Sequence, residues 1–344
     1  MILIFSDRND YSTVKVMEYL FYLNEPVIRV NREDTVNAQF HIDVSDQNHF
    51  EIEFVINGKS VSMSQVKSIW FRRGGFYFQE VSSDKIKKSR KIIKKQINKY
   101  LTEEQATLND FIYECLLSNG NRKILGNPMV MNTRKLSVLR KASNLGLTIP
   151  KTLVTTKRSD VFEFLNKNKN VITKGIQDNF TPFTAESAYT CWTEVVDKGT
   201  VEKFQPEFFP SLFQDKIEKL FEIRVFYLDG QFYSIAIFSQ ESSKTEVDFR
   251  NYDFQVPNRK AAIELPRILK MKLTRLLKEL CLNTASIDLI YTKSQEFVFL
   301  EINPVGQYDM VGKYMNFQLD KKIALWLAQK KIEINSETSI SLMK

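Results

Sequence analysis

The residues best placed to do chemistry lie late in the chain, in Ala285-Ser-Ile-Asp-Leu-Ile-Tyr-Thr-Lys-Ser-Gln-Glu-Phe-Val-Phe-Leu-Glu-Ile-Asn-Pro304. Two apolar runs flank a polar break at Lys293–Glu296, the pattern of two strands joined by a short loop. If Thr292 pairs with Phe297, the same register sets Asp288 opposite Glu301. Glu301 and Asn303 then share its face, because alternate residues of a strand point the same way. Two carboxylates and an amide carbonyl at one spot are costly unless a cation sits among them. Hard oxygen donors without His or Cys suit Mg²⁺ or Mn²⁺, ions that keep coordination positions for phosphate oxygens. The plain alternative is a polar strand facing solvent.

Such a hairpin needs a scaffold, and composition bounds what that scaffold is. The chain has 344 residues, enough for about two domains at ~150 residues each. It is 43% hydrophobic and 12% aromatic, which excludes a disordered or fibrous polymer. Only His41 and His49 are present, so a His-rich metal site or a His-based triad is excluded. Cys115, Cys191 and Cys281 form no CxxC pair, and with no signal peptide in view a reducing cytoplasm is expected. No apolar run approaches the ~18–20 residues that cross a bilayer, so no membrane partner is expected.

The formal charge of +8 is local. Eight of the 49 basic residues fall between Lys85 and Lys99 with no acid among them, so the remaining chain balances its 41 acids. Ile86, Ile92, Ile93 and Ile97 give the run an amphipathic helical spacing. A solvated helix face is the plain reading; a polyanion site is the sharper one.

The flanking segments read as α+β. Ile2–Phe5 is a buried first strand, the second ends at Val27–Asn31, and Phe50–Ile56 with Ser60–Met63 flank the hairpin signal Asn57-Gly58. Ser68–Phe71 is a further strand, followed by the basic helix and a second helix over Glu103–Leu117. Beyond residue 118 come a helix over Asn132–Leu145 with Gly146 at its end, strands at Thr152–Thr155, Val171–Lys174, Val201–Gln205, Ile223–Leu228, Phe232–Ser239, Ala285–Tyr291 and Phe297–Ile302, and helices at Asp160–Asn166, Arg267–Leu280 and Lys321–Gln329. Antiparallel strands mixed with helices exclude a doubly wound sheet.

Glu301-Ile-Asn303-Pro304 after an Asp-bearing strand resembles the metal end of the ATP-grasp fold. Other landmarks follow in the family's order. The segment from Lys135 to Thr152 is similar to the one bearing the first nucleotide-binding lysine, and Val171-Ile-Thr-Lys174 to the strand bearing the second. Phe213-Gln214-Asp215-Lys216-Ile217 resembles the adenine-reading hinge, and Glu222-Ile-Arg224-Val225 the strand after it. Ser68-Ile-Trp70-x-Arg72-Arg73, Ser239-Gln240, Asp248-Phe249-Arg250 and Asn303-Pro-Val-Gly306-Gln307 narrow the likeness to ligases that cyclise ribosomal peptides of the microviridin (graspetide) kind. The opening Met1–Asp7 and Ser12-Thr13 are similar to their grasp-with-spasm branch.

The resemblance implies an N-terminal α/β pre-ATP-grasp domain (1–118), a central ATP-grasp subdomain (119–200), a C-terminal ATP-grasp subdomain (201–330) and a tail (331–344). It implies ATP as cosubstrate, with Lys135 and Lys174 on α- and β-phosphates, Gln214, Asp215 and Ile217 at adenine and Glu222 at ribose. Asp288, Glu301 and Asn303 are expected to hold one or two Mg²⁺, and Arg224 and Arg250 to meet the γ-phosphate and acyl-phosphate oxygens. Arg72 and Arg73 are the expected contacts to an acidic peptide segment, while Trp70 reads as core. The implied partner is a precursor peptide whose leader docks near Glu186–Val201, with nucleic acid disfavoured and monomer and homodimer both open. Another ATP-grasp carboxylate–amine ligase, or a polyanion-binding module without catalysis, stays open beside this reading. If the basic run is a solvated face, replacing Lys87, Lys88, Lys94 and Lys95 together by Gln leaves precursor affinity unchanged in a low-salt titration; a loss beyond about tenfold assigns the run to the acidic segment.

Overall fold

A computed structural model describes residues 1–34, 37–42, 50–56, 58–76, 91–118, 122–131, 134–176, 193–239 and 258–331. Arg250, the basic residues from Lys85 to Arg90, Glu186–Trp192 of the expected leader-docking segment and the tail from residue 332 lie outside them.

The opening apolar run is β1 (Ile2–Ser6), buried along its whole length. It pairs in parallel with β2 (Val27–Asn31) and β6 (Ser68–Phe71), and β6 pairs in parallel with β7 (Lys123–Leu125). A parallel sheet is covered on both faces, which is why these strands read as continuous apolar runs. Leu3, Phe5, Ile69 and Phe71 pack on Ile112, Tyr113 and Leu116 of α2 (Lys91–Ser118). On the other face Ile2, Ile4 and Trp70 meet Val16 and Leu20 of α1 (Tyr11–Tyr22) and Ile323 and Leu327 of α8 (Leu319–Leu327). Trp70 is core, as expected. An antiparallel sheet of β3 (Asn37–Ile42), β4 (Phe50–Ile56) and β5 (Lys59–Ser62) is also present. The two helices expected around Lys99 and Glu103 are one: no Gly or Pro interrupts the chain there, and Lys99 pairs with Glu103 one turn on.

The central sheet is antiparallel, in the order β10-β9-β11-β8, from β8 (Thr152–Lys157), β9 (Val171–Lys174), β10 (Glu194–Val196) and β11 (Glu207–Asp215). α4 (Arg158–Lys167) covers it. The strand expected at Val201–Gln205 is not formed: Val201 and Glu202 end helix α5 (Lys198–Glu202), started by Asp197, whose carboxylate accepts from the Thr200 amide at 2.7 Å. Two sheets therefore draw strands from beyond the boundaries expected at residues 118 and 200, since β7 completes the first sheet and β11 the central one.

The C-terminal sheet runs β14-β13-β12-β15-β16, from β12 (Lys219–Leu228), β13 (Gln231–Phe238), β14 (Arg259–Ala262), β15 (Thr284–Thr292) and β16 (Phe297–Asn303). Odd-numbered Ile223, Val225, Ile287 and Leu289 face α3 (Lys135–Asn144) and α6 (Arg267–Glu279). Even-numbered Phe226 and Leu228 face the other way, into the core shared with α7 (Asp309–Met315), α8 and the N-terminal sheet. Glu222, Arg224 and Asp288 have that same even parity. No helix among the described residues is long and apolar enough to cross a membrane.

Gly126, just after β7, joins the outer units, its amide donating to Asn283 Oδ1 at 2.9 Å. Its φ is +82°, and a Cβ there would meet the Phe71 carbonyl oxygen at 2.6 Å. Gly126→Ala is expected to lower stability by about 2 kcal/mol or more in urea unfolding, because a positive φ and a backbone clash add. A loss under roughly 0.5 kcal/mol would show that the junction yields freely.

Candidate active site

A cleft between the central and C-terminal sheets is lined by residues of both. From the central side come Lys174 on β9, Gln214 and Asp215 at the end of β11, and Ile217 in the connection to β12; from the other come Glu222, Asp288 and Glu301. The cleft thus brings together seven of the residues expected for nucleotide and metal. Lys135, the first residue of α3, reaches the same place, its Nζ lying 3.4 Å from Glu301 Oε2.

Asp288 stands opposite Glu301, but by a different route from the simple register. Tyr291, not Thr292, pairs with Phe297, and a bulge at Leu300 shifts the pairing by one residue. The Phe299 amide donates to the Thr148 carbonyl at 2.8 Å at this point. The bulge restores the pairing that the shorter turn would have offset. Asn303 lies one alternation beyond Glu301, and its Oδ1 accepts from the Val305 amide at 3.0 Å. That bond uses one lone pair of the amide oxygen and leaves the other.

Charge compensation is built into the same row. Arg224, opposite Asp288 on β12, binds both carboxylate oxygens through Nη1, at 2.9 and 2.8 Å. With Lys135 on Glu301, each acid has a cation partner, which relieves their mutual repulsion. Among the described residues no cluster of three or more His, Cys, Asp or Glu forms a closed metal cage. Two carboxylates plus an amide oxygen fit a hard divalent ion that completes its shell from phosphate and water, the usual way Mg²⁺ is held.

Glu222 is the most deeply buried acid of the site. Burial pushes its carboxyl up to about 7 from 4.5, against ion pairing with Lys219, and Ser239 Oγ donates to it at 3.2 Å. Lys219 was not expected here: three residues from Glu222 in a strand, simple alternation places it on the opposite face. A bulge at Leu220 turns both side chains into the cleft and leaves Leu220 itself 43% exposed. Gln214 is buried, its Nε2 donating to Thr152 Oγ1 at 2.9 Å, which ties β11 to β8 beneath the hinge. Burial also raises the Asp215 carboxyl, opposed by nearby Lys151.

Arg224 also lines a second cavity of about 740 Å³, between the N-terminal domain and the loop after β16, with Asp7, Arg73, Gln307 and Asp309. Arg73 is half-buried there, 3.5 Å from Asp7 and Asp10. Arg72 lines the same cavity but is only 2% exposed, held by Asp10 at 3.0 Å and by the carbonyls of Val305 and Gly306. Arg250 lies outside the described residues.

Because Glu222 keeps in the folded state a proton that the unfolded chain releases, its contribution to stability falls as pH rises from about 4.5 to about 7. Against Glu222→Gln, the wild type is expected to lose up to roughly 3 kcal/mol over that window in urea unfolding, with no further change above it. A pH-independent difference would refute the buried-carboxyl assignment.

No protein-family model and no curated protein matches this chain. Solved structures do. A RiPP-associated ATP-grasp ligase from Chryseobacterium gregarium, in complex with ADP and a leader and core peptide, superposes with a TM-score of 0.78 at 24% identity, covering 96% of this chain and 97% of that one. The macrocyclase MdnC from Microcystis aeruginosa, bound with precursor peptide MdnA, gives 0.74 at 20% identity over 96% and 100%. The ATP-grasp ligase PsnB, complexed with a minimal precursor, gives 0.70 at 17% over 96% and 99%. The match spans the N-terminal domain as well as both sheets of the cleft, and this chain has the ATP-grasp fold.

Proposed function

We propose that this chain is an ATP-dependent carboxylate ligase that cyclises a ribosomal precursor peptide, joining Asp or Glu side chains to Thr, Ser or Lys side chains. One observation carries the reading: the cleft and the second cavity, a basin, meet at one ion pair. Asp288 stands on the cleft side of it, and its partner Arg224 reaches the basin. A carboxylate in the basin thus meets a nucleotide in the cleft across the Arg224–Asp288 pair, whose guanidinium lines the basin and whose carboxylate lines the cleft.

The chemistry asks for little more than placement and charge. Attack of the peptide carboxylate on the γ-phosphorus gives an acyl phosphate and ADP. Attack of the hydroxyl or amine on that carbonyl forms the ester or amide and releases phosphate and the nucleophile's proton. Lys135 and Lys174 suit the α- and β-phosphates, Gln214, Asp215 and Ile217 the adenine, and Glu222 the ribose. Arg224 offers its fork to the γ-phosphate and acyl-phosphate oxygens, and Arg250 is assigned beside it by resemblance. Asp288, Glu301 and Asn303 would hold one or two Mg²⁺ or Mn²⁺, which supply charge neutralisation on the phosphates. Arg73, the more exposed of the two, and Arg72 line the basin that would receive the peptide. The precursor's leader, by resemblance, docks within Glu186–Val201. The thiols of Cys115 and Cys281 are unpaired, which accords with a cytoplasmic setting.

Incubated with ATP, Mg²⁺ and a precursor rich in Thr and Glu or Asp, the chain is expected to release ADP only when peptide is present. The peptide should lose one water mass per linkage. Arg224→Met and Glu301→Gln are each expected to slow ring formation by about 10²-fold or more while the far-ultraviolet circular dichroism stays native. Full turnover by Glu301→Gln would overturn the metal assignment, and ADP release indifferent to any peptide would overturn the ligase reading.

A further inference from the structure

Arg72 and Arg73 are adjacent in sequence, yet the fold gives them different work. Both backbone amides donate to the Phe5 carbonyl at 3.0 Å, which fixes the end of β6 against β1. Arg73 then points to the basin. Arg72 is fully buried, and burying a guanidinium is costly unless its donors are used.

Nη1 finds its acceptors on the turn after β16, and Nε is left to an ion pair. Nη1 donates to the carbonyl of Val305 and, at 3.0 Å, to that of Gly306, 233 and 234 residues away. Nε lies 3.0 Å from Asp10 Oδ2, and the guanidinium carbon sits 5.5 Å from the centre of the Tyr308 ring. Asp10 is itself held in place, since its Oδ1 caps α1 by accepting from the Ser12 amide at 3.1 Å. An arginine anchored on the N-terminal domain therefore grips the turn that leaves β16.

That turn also carries Asn303. The Val305 amide donates to Asn303 Oδ1 at 3.0 Å, and the Gly306 amide to the Asn303 carbonyl at 3.1 Å. Gly306 has a φ of +65°, and even a Cβ there would stand 3.2 Å from the Phe226 ring, so the turn has little room to shift. Two hydrogen bonds, one on each side of Val305, connect Arg72 to the Asn303 side chain.

We infer that Arg72 is a positioning residue for the divalent-metal face: through the Val305 peptide it sets the orientation of the Asn303 amide. The inference rests on the reading of Asp288, Glu301 and Asn303 as metal ligands. It makes the N-terminal domain a determinant of metal affinity as well as a wall of the peptide basin. Lysine is a poor replacement, because its single ammonium cannot stand at once where Nη1 bonds both carbonyls and where Nε lies beside Asp10. Groups that orient metal ligands from behind are worth about 10–100-fold in metal affinity.

The test is Mn²⁺ binding to the full chain with ADP, followed by electron paramagnetic resonance of the free ion. Arg72→Lys keeps the charge beside Asp10 and is expected to weaken Mn²⁺ binding by about 10-fold or more. In an Asn303→Ala background the same change is expected to cost little further, because the group it positions is gone. Arg72→Gln serves as a second variant should the lysine form not fold, and melting temperatures identify folded protein. Wild-type Mn²⁺ affinity in a folded Arg72 variant, or an undiminished loss in the Asn303→Ala background, would overturn the inference. Glu301→Gln separates it from the reading beneath: if that variant also binds Mn²⁺ normally, the metal face itself is misassigned, whereas loss in Glu301→Gln alone defeats only the role of Arg72.

Discussion

The ion pair between Arg224 and Asp288 is the constraint on which the rest of this site depends. The two residues are direct cross-strand neighbours on β12 and β15, and Glu301 is the next neighbour across, on β16. Three adjacent strands thus lay out one cation and two anions in a row, and Lys135 closes the row from α3. Like charges opposite one another destabilise a sheet, so Asp288 and Glu301 can face each other only because the row is neutral as a whole. A triphosphate and two divalent ions, neutral together, can be admitted to such a row without leaving a buried charge unmatched. The arrangement is therefore a structural solution and a chemical opportunity at once.

The sheet carrying the row is held from both faces by apolar packing. Leu269, Leu273, Leu276 and Leu277 of α6 cover one side together with α3. On the other, Phe226 and Leu228 enter a core that runs without a break into Ile2, Ile4 and Trp70 of the first sheet. The N-terminal domain is accordingly not a bead on a linker. Its strands and the C-terminal helices bury one another, and the basin between them inherits the rigidity of that shared core.

Much of this could be read from residue order. The parity of Glu222, Arg224 and Phe226 on one strand and of Asp288 on the next places the charged and apolar members of one face, because alternation is a covalent property of extended chain. Continuous apolar runs such as Ile2–Phe5 marked strands covered on both sides. What escaped has physical causes. β7, β10 and β14 are edge strands of three or four residues, too short to show a period. Val201 has a β-branched side chain, yet Asp197 starts a helix through it and its burial against Val161 and Phe213 decides the matter. Lys219 was hidden because a bulge reverses its parity, and Arg72 because adjacency to Arg73 says nothing about a turn more than two hundred residues away.

The bulge at Leu300 has a consequence for how this hairpin can vary. It absorbs a one-residue difference between the turn side and the ligand side of β16, so the two ends of the strand keep separate phase. A turn that gained or lost a residue could be matched by losing or moving the bulge, with Asp288 and Glu301 still face to face. The loop at Lys293–Gln295 is in this sense decoupled from the Asp288–Glu301 pair: a change in its length need not alter the phase of Glu301 against Asp288.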